Sequence, residues 1–123
     1  MKKVLSVTML FILVLSLVAC GGVNNETPME AAETFMQALA DGDEDTIDAM
    51  NNSDEWNYPT SHLIDLANER HIIDMEVEKV KYSKVEDEDS QIAVNYENTK
   101  GEEDEWTLVF VKTDDGYKFT ELD

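Results

Sequence analysis

The spacing of apolar residues changes once along this chain, close to residue 71. Before that point Ala32, Phe35, Met36 and Leu39 recur at intervals of three and four, and Leu63, Ile64, Leu66 and Ala67 follow the same rhythm. Such spacing gathers apolar side chains on one face of a helix. After it, Ile92, Val94 and Tyr96 alternate with Gln91, Ala93 and Asn95, and Trp106, Leu108 and Phe110 alternate with Thr107, Val109 and Val111. A period of two belongs to strands with one buried face. Helices first and strands afterwards define an α+β fold. Short links between successive strands favour antiparallel neighbours. The expected architecture is three N-terminal helices packed on a curved four-stranded antiparallel meander.

Punctuation residues set the boundaries. Thr27-Pro28-Met29-Glu30 supplies a cap, a first-turn proline and a capping-box glutamate. Asp41-Gly42-Asp43 ends that helix and caps a short second one, whose inward side carries Ile47 and Met50. Thr60 or Ser61 is expected to cap a third helix running to about Arg70. Met75 and Val77 alternate, and Val80 and Tyr82 alternate in the opposite phase, which predicts a first strand with a bulge near Glu78-Lys79. Glu86 to Asp89 and Asp114-Asp115-Gly116 read as turns, and Asn98 to Asp104 as a polar loop. The expected core is Phe35, Met36, Leu39, Ile47, Leu63, Leu66, Val77, Ile92, Val94, Leu108 and Phe110.

Ahead of this domain stands a different kind of segment. Met1-Lys2-Lys3 is basic, Val4 to Ala19 is almost wholly apolar, and Leu17-Val18-Ala19-Cys20 closes the run. A charged start, an apolar middle and a small residue before a cut form a signal peptide. Leu-Val-Ala-Cys resembles the lipobox of bacterial lipoprotein precursors. The resemblance implies that the Cys20 thiol is acylated and the chain cut just before it. Cys20 is the only cysteine, so no intrachain disulfide can form. The expected organisation is residues 1–19 as signal peptide, 20–27 as lipidated cysteine and flexible tether, and 28–123 as the domain. Seven residues of tether, Gly21 to Thr27, would average roughly 15 Å end to end.

Charge limits the partners. The chain holds 28 acidic and 9 basic residues, a formal net charge of −19, and loss of Lys2 and Lys3 would make the balance more negative still. Nucleic acid needs a basic footprint, and flat adhesion to anionic lipid needs basic clusters. Neither is expected here. The expected partners are membrane lipid through Cys20 and either a small apolar ligand or an envelope protein.

Thr27-Pro28 followed by Glu30, Ala31-Ala32, Phe35, Ala38-Leu39 and Gly42-Asp43 resembles the opening of small NTF2-like envelope lipoproteins. That family shares a cystatin-like cone of helices against a curved sheet. The resemblance implies the fold and no particular activity, since the same scaffold hosts binding modules, enzymes and assembly domains.

No reaction is written in the sequence. Asp41-Gly42-Asp43-Glu44-Asp45 fails as a calcium loop, because Thr46 and Asn52 stand where glycine and glutamate are required. His62 and His71 lie nine apart and have no cysteine partners, so neither a zinc site nor another metal site is expected, and no cofactor motif is present. His62 and Asp65, three apart on a helix, could form an oriented general base. Trp56, Tyr58, Tyr96 and Trp106 are candidates to line a cleft, with Tyr58, Tyr96 and Trp106 the expected ligand contacts. The leading expectation is a membrane-anchored, non-enzymatic binding domain. The alternatives are a small isomerase, dehydratase or hydrolase using His62 or Asp65, and a cystatin-like inhibitor or immunity protein.

Overall fold

The computed structural model describes residues 23–53 and 57–123. The signal segment, Cys20 and Trp56 lie outside the described residues. Three helices come first: α1 (Pro28–Asp41), α2 (Glu44–Met50) and α3 (Thr60–Glu69). Four strands follow: β1 (Lys81–Val85), β2 (Glu88–Glu97), β3 (Glu103–Thr113) and β4 (Gly116–Leu122). They form one antiparallel sheet in the order β1-β2-β3-β4. Among the described residues, no helix is long and apolar enough to cross a membrane.

The first helix begins as its sequence dictates. Thr27 Oγ1 accepts from the Glu30 amide at 3.1 Å, and its hydroxyl is 3.2 Å from Glu30 Oε1. Gly42 adopts φ 64° after the last turn, while the Asp43 amide donates to Ala38 O at 2.9 Å. A left-handed residue there lets the chain reverse and satisfies carbonyls the helix leaves open. Asp43 then caps α2, accepting from the Thr46 amide at 3.2 Å and from its hydroxyl at 2.6 Å. The third helix departs from expectation. Pro59 occupies the capping position without a side-chain bond, and the Thr60 hydroxyl donates instead to Asp48 Oδ1 at 2.8 Å, tying α3 to α2.

The stretch expected to be the first half of a bulged strand is a turn. His71 and Asp74 take positive φ, the Asp74 amide donates to Ala40 O at 2.8 Å, and Val77–Lys79 forms one 3-10 turn. Ile72 and Met75 are both buried in the core. A separation of three serves a turn, whereas a strand would place them on opposite faces. The sheet's irregularities fall elsewhere, at Lys84/Val85 and at Val109/Phe110. At the second, Phe110 pairs with Phe119 and Val109 with Glu121, so Thr120 is the extra residue, and its hydroxyl donates to Val109 O at 3.1 Å.

The buried face of the sheet carries Ile92, Val94, Leu108, Phe110 and Phe119, and α1 lays Phe35, Met36 and Leu39 against it. Phe35 stacks on Phe119 with ring centres 4.6 Å apart, and Tyr58 meets Phe119 edge-on at 5.7 Å. Burying each such ring contributes about 1.5–3 kcal/mol. Leu66 and Val77, expected in the core, are only partly buried.

Residues expected to be flexible tether instead make defined contacts. Asn25 is 4% exposed, and its side-chain amide donates to Asp115 O at 3.1 Å and Tyr117 O at 2.8 Å. Its own carbonyl accepts from the Tyr117 amide at 2.8 Å. Asn24 O accepts from the Thr34 hydroxyl at 2.6 Å, and Val23 packs against the core. Residues 23–27 therefore belong to the domain. Asparagine looks like a linker residue by composition, but here its amide satisfies one turn carbonyl and one strand carbonyl at once.

Candidate functional site

The elements meet most densely in polar groups at the end of the sheet where β2 turns into β3. Asn98 organises that turn. Its Oδ1 accepts from the Lys100 and Glu102 amides, both at 3.0 Å, and its Nδ2 donates to Arg70 O at 3.1 Å and Glu102 Oε1 at 3.2 Å. The Thr99 amide donates to His71 O at 3.0 Å. Gly101, at φ 79°, closes the loop. The loop is thereby bonded to the end of α3.

Beneath it lies a three-group cluster. Arg70 Nη1 is 3.0 Å from Asp104 Oδ2, and the Tyr96 hydroxyl donates to the same oxygen at 3.2 Å. Burial chiefly, and then the Asp104 charge and hydrogen bond, push the Tyr96 phenol above its ordinary range, with Arg70 opposing. Asp104 Oδ2 holds these two donors while its Oδ1 accepts from the Glu105 amide at 2.8 Å, which fixes the carboxylate. Arg70 is half exposed, and a pair of this kind is worth at most about 1 kcal/mol.

Three shallow grooves surround the cluster. The largest, about 460 Å³, runs between Lys79, Lys81, Asn95 and Glu103, with Tyr96 and Asp104 at its base. A neighbouring one of about 320 Å³ passes between Met75, Lys79 and Thr99. A third, about 440 Å³, lies over Arg70, His71 and Lys100. Four cations, Arg70, Lys79, Lys81 and Lys100, line these grooves alongside a larger number of acids, among them Glu97, Glu102, Glu103 and Asp104. The linings are polar and charged, which suits a peptide segment better than an apolar small molecule.

The aromatic residues expected to share a cleft fall into two groups. Tyr96 and Trp106 meet edge-on, 5.4 Å apart at 72°, and are 3% and 9% exposed. Tyr58 is on the β4 side, against Phe119 and the His62 ring, with its carbonyl accepting from Asn51 Nδ2 at 2.8 Å. Of the three, Tyr96 also lines the 460 Å³ groove. His62 and Asp65 are both exposed on α3, and no hydrogen bond joins them among the described residues.

Within Asp41–Asp45, Asp41 accepts from Gln37 Nε2 at 3.0 Å and Asp43 caps α2. Asp43 is held below the ordinary carboxylate range by the hydroxyl and amide bonds from Thr46. Among the described residues, no group of three potential ligands could hold a metal ion, and no buried side-chain nitrogen or oxygen lacks a partner.

Neither Asn25 nor the Asn98 hub was foreseen from the sequence. The signal available for Asn98 was an asparagine three residues before a glycine in a polar loop. For Arg70 it was a lone arginine at a helix end, where cations favour the dipole. No family model matches this sequence, and no curated protein or solved structure is significantly similar to it.

Proposed function

We propose that this chain is a bacterial lipoprotein, acylated at Cys20 and held on the extracytoplasmic side of the cell membrane. Its domain is of the NTF2-like, cystatin-like type and works as a non-enzymatic module that binds an envelope protein. The observation that carries the binding reading is the charged, open set of grooves at the β2–β3 end. The helix-then-meander order supports the fold relationship. Leu17-Val18-Ala19-Cys20 supports the anchor.

The pinned N-terminal segment sharpens the geometry. With Val23 packed on the domain, only Gly21 and Gly22 separate it from Cys20, and three residue steps reach at most about 10 Å. Two acyl chains hold where one is marginal. The domain then stands almost in contact with the bilayer, and a partner must reach it there.

The experiment combines membrane fractionation with a double variant. Cys20→Ala is expected to move the protein from the pelleted membranes to the supernatant. His62→Asn with Asp65→Asn is expected to leave both folding and cell-based function intact. Unchanged pelleting of the first variant refutes the anchor. Loss of function by a folded second variant refutes the non-enzymatic reading.

A further inference from the structure

The two edges of the sheet are treated differently. At β4 the chain covers its own edge. The Tyr117 amide donates to Asn25 O at 2.8 Å, the Asn52 amide donates to Phe119 O at 2.7 Å, and Asn51 bridges Phe119 in parallel. At the other side β1 pairs only with β2, through Lys81↔Asn95, Tyr82↔Val94, Ser83↔Ala93 and Lys84↔Ile92. Its outer row of amides and carbonyls has no strand beside it among the described residues. An uncovered edge is a template for another strand.

The charges along that edge differ from those of the rest of the chain. Lys79, Lys81 and Lys84 fall within six positions, in a sequence where acids outnumber bases 28 to 9. Lys81 and Lys84 are exposed, and neither makes an ion pair among the described residues. Lys81 pairs with Asn95 and stands on the open side of the sheet, while Lys84 pairs with Ile92 and stands on the helix side. A strand laid along β1 would therefore meet an ammonium group on each of its two faces. Two copies of this edge laid together would oppose lysines with lysines, which disfavours self-pairing. At physiological salt, charges farther than about 8 Å away are largely screened, so what a docked strand meets is set by Lys81 and Lys84 within β1 and by the nearby acids Glu33 and Glu88.

We propose that β1 is a docking edge for one extended, acid-bearing segment of a partner protein. The segment adds a fifth strand to the sheet. Main-chain hydrogen bonds from Lys81–Val85 supply the attachment, and carboxylates on alternate faces meet Lys81 and Lys84. The groove beyond Lys81 toward the β2–β3 loop is also lined by Glu97, Glu103 and Asp104, which confines the carboxylate contacts to β1 itself. This deepens the protein-binding reading above and needs no acylation at Cys20.

The test uses the full chain in detergent micelles and two synthetic peptides, an acetylated and amidated Glu-Val repeat of eight residues and its Lys-Val counterpart. Binding is read by amide chemical shifts and hydrogen exchange. The Glu-Val peptide is expected to shift the amides of Lys81–Val85 and slow exchange at alternate positions there. The Lys-Val peptide is expected to leave them unchanged. Lys81→Glu with Lys84→Glu should weaken the Glu-Val peptide at least tenfold, and Lys112→Glu should not. The peptide comparison needs no variant to fold. Equal response to both peptides overturns the proposal, as does an unperturbed β1. Shifts confined to Asn98–Asp104 would overturn the edge while leaving the domain a protein-binding module. Concentration-dependent association of the chain through Lys81–Val85 would also overturn it.

Discussion

Replacing Asn25 by alanine asks whether residues 23–27 are tether or domain. The side-chain amide makes two hydrogen bonds, to Asp115 O at 3.1 Å and Tyr117 O at 2.8 Å, from a site only 4% exposed. Asp115 is exposed, so water can replace the first bond. Tyr117 is half buried, and its carbonyl would be left poorly satisfied. One net bond lost at about 1 kcal/mol and one stranded carbonyl at about 1–2 kcal/mol give roughly 2–3 kcal/mol. For a domain of this size that lowers Tm by about 8–20 °C. Exchange of the Tyr117 amide, which donates to Asn25 O, should accelerate at least as much as the global loss requires. Asn25→Asp adds a pH signature. A carboxylate facing two carbonyl oxygens is disfavoured, so the new group's folded pKa rises above its unfolded value of about 3.9. A raised folded pKa means stability present below the unfolded pKa and lost as pH climbs through the folded one. This variant should therefore approach the parent in acid and fall below it at neutral pH. Urea unfolding followed by tryptophan fluorescence measures both effects. A loss under 0.5 kcal/mol (on the order of ordinary surface substitutions) with unchanged Tyr117 exchange would refute the latch, and the anchor would regain its longer reach.

Two further predictions concern the same structure. Gly116→Ala places a methyl group 2.7 Å from the Asn25 carbonyl oxygen at φ 95°, and should cost about 1–3 kcal/mol in the same unfolding assay; a neutral result would mean that the segment is not seated there. Burial first, and then the Glu33 charge, push the Tyr82 phenol up to about 12. Because the folded value exceeds the unfolded one, Tyr82 contributes stability that is whole below about pH 10 and lost as pH rises toward 12. Ultraviolet titration should show this phenol ionising late, and Glu33→Gln should bring it part of the way down; an unmoved titration would show that Glu33 does not act on it.

The fold was legible because two periods sit in separate halves of the chain. Helix ends at Thr27, Gly42 and Asp43 were readable from local chemistry, since each acts on groups within four residues of itself. The failures share a cause. Thr60 could cap its own helix, but Asp48, twelve residues away, takes its hydroxyl. The segment 71–80 has strand-like spacing, but burial of Ile72 and Met75 beneath the end of α1 imposes a turn. Asn25 bonds to residues 90 and 92 positions away. Nothing nearby in the sequence announces such partners. The expected aromatic cleft failed to gather for a related reason. Alternation assigns a side chain to a face of the sheet but not to a position along it, and Tyr58 and Tyr96 are brought to different neighbours.

The N-terminal latch and the open strand have one consequence together. Asn25 and Asn51–Asn52 line β4, so the segment leading back to Cys20 leaves from the side that already lacks a free edge. β1 is three strands away, about 14 Å at the usual strand spacing of 4.7–4.9 Å. The anchor proposed at Cys20, at most about 10 Å long and attached on the β4 side, would confine that side to the membrane and leave the lysine-bearing side the more accessible. Releasing the latch would lengthen the reach and free the Tyr117 amide, while the Asn52 amide would still hold Phe119 O. Asn25→Ala should therefore speed hydrogen exchange at the Tyr117 amide while the Asn52 amide stays protected, and equal acceleration at both would refute a local release.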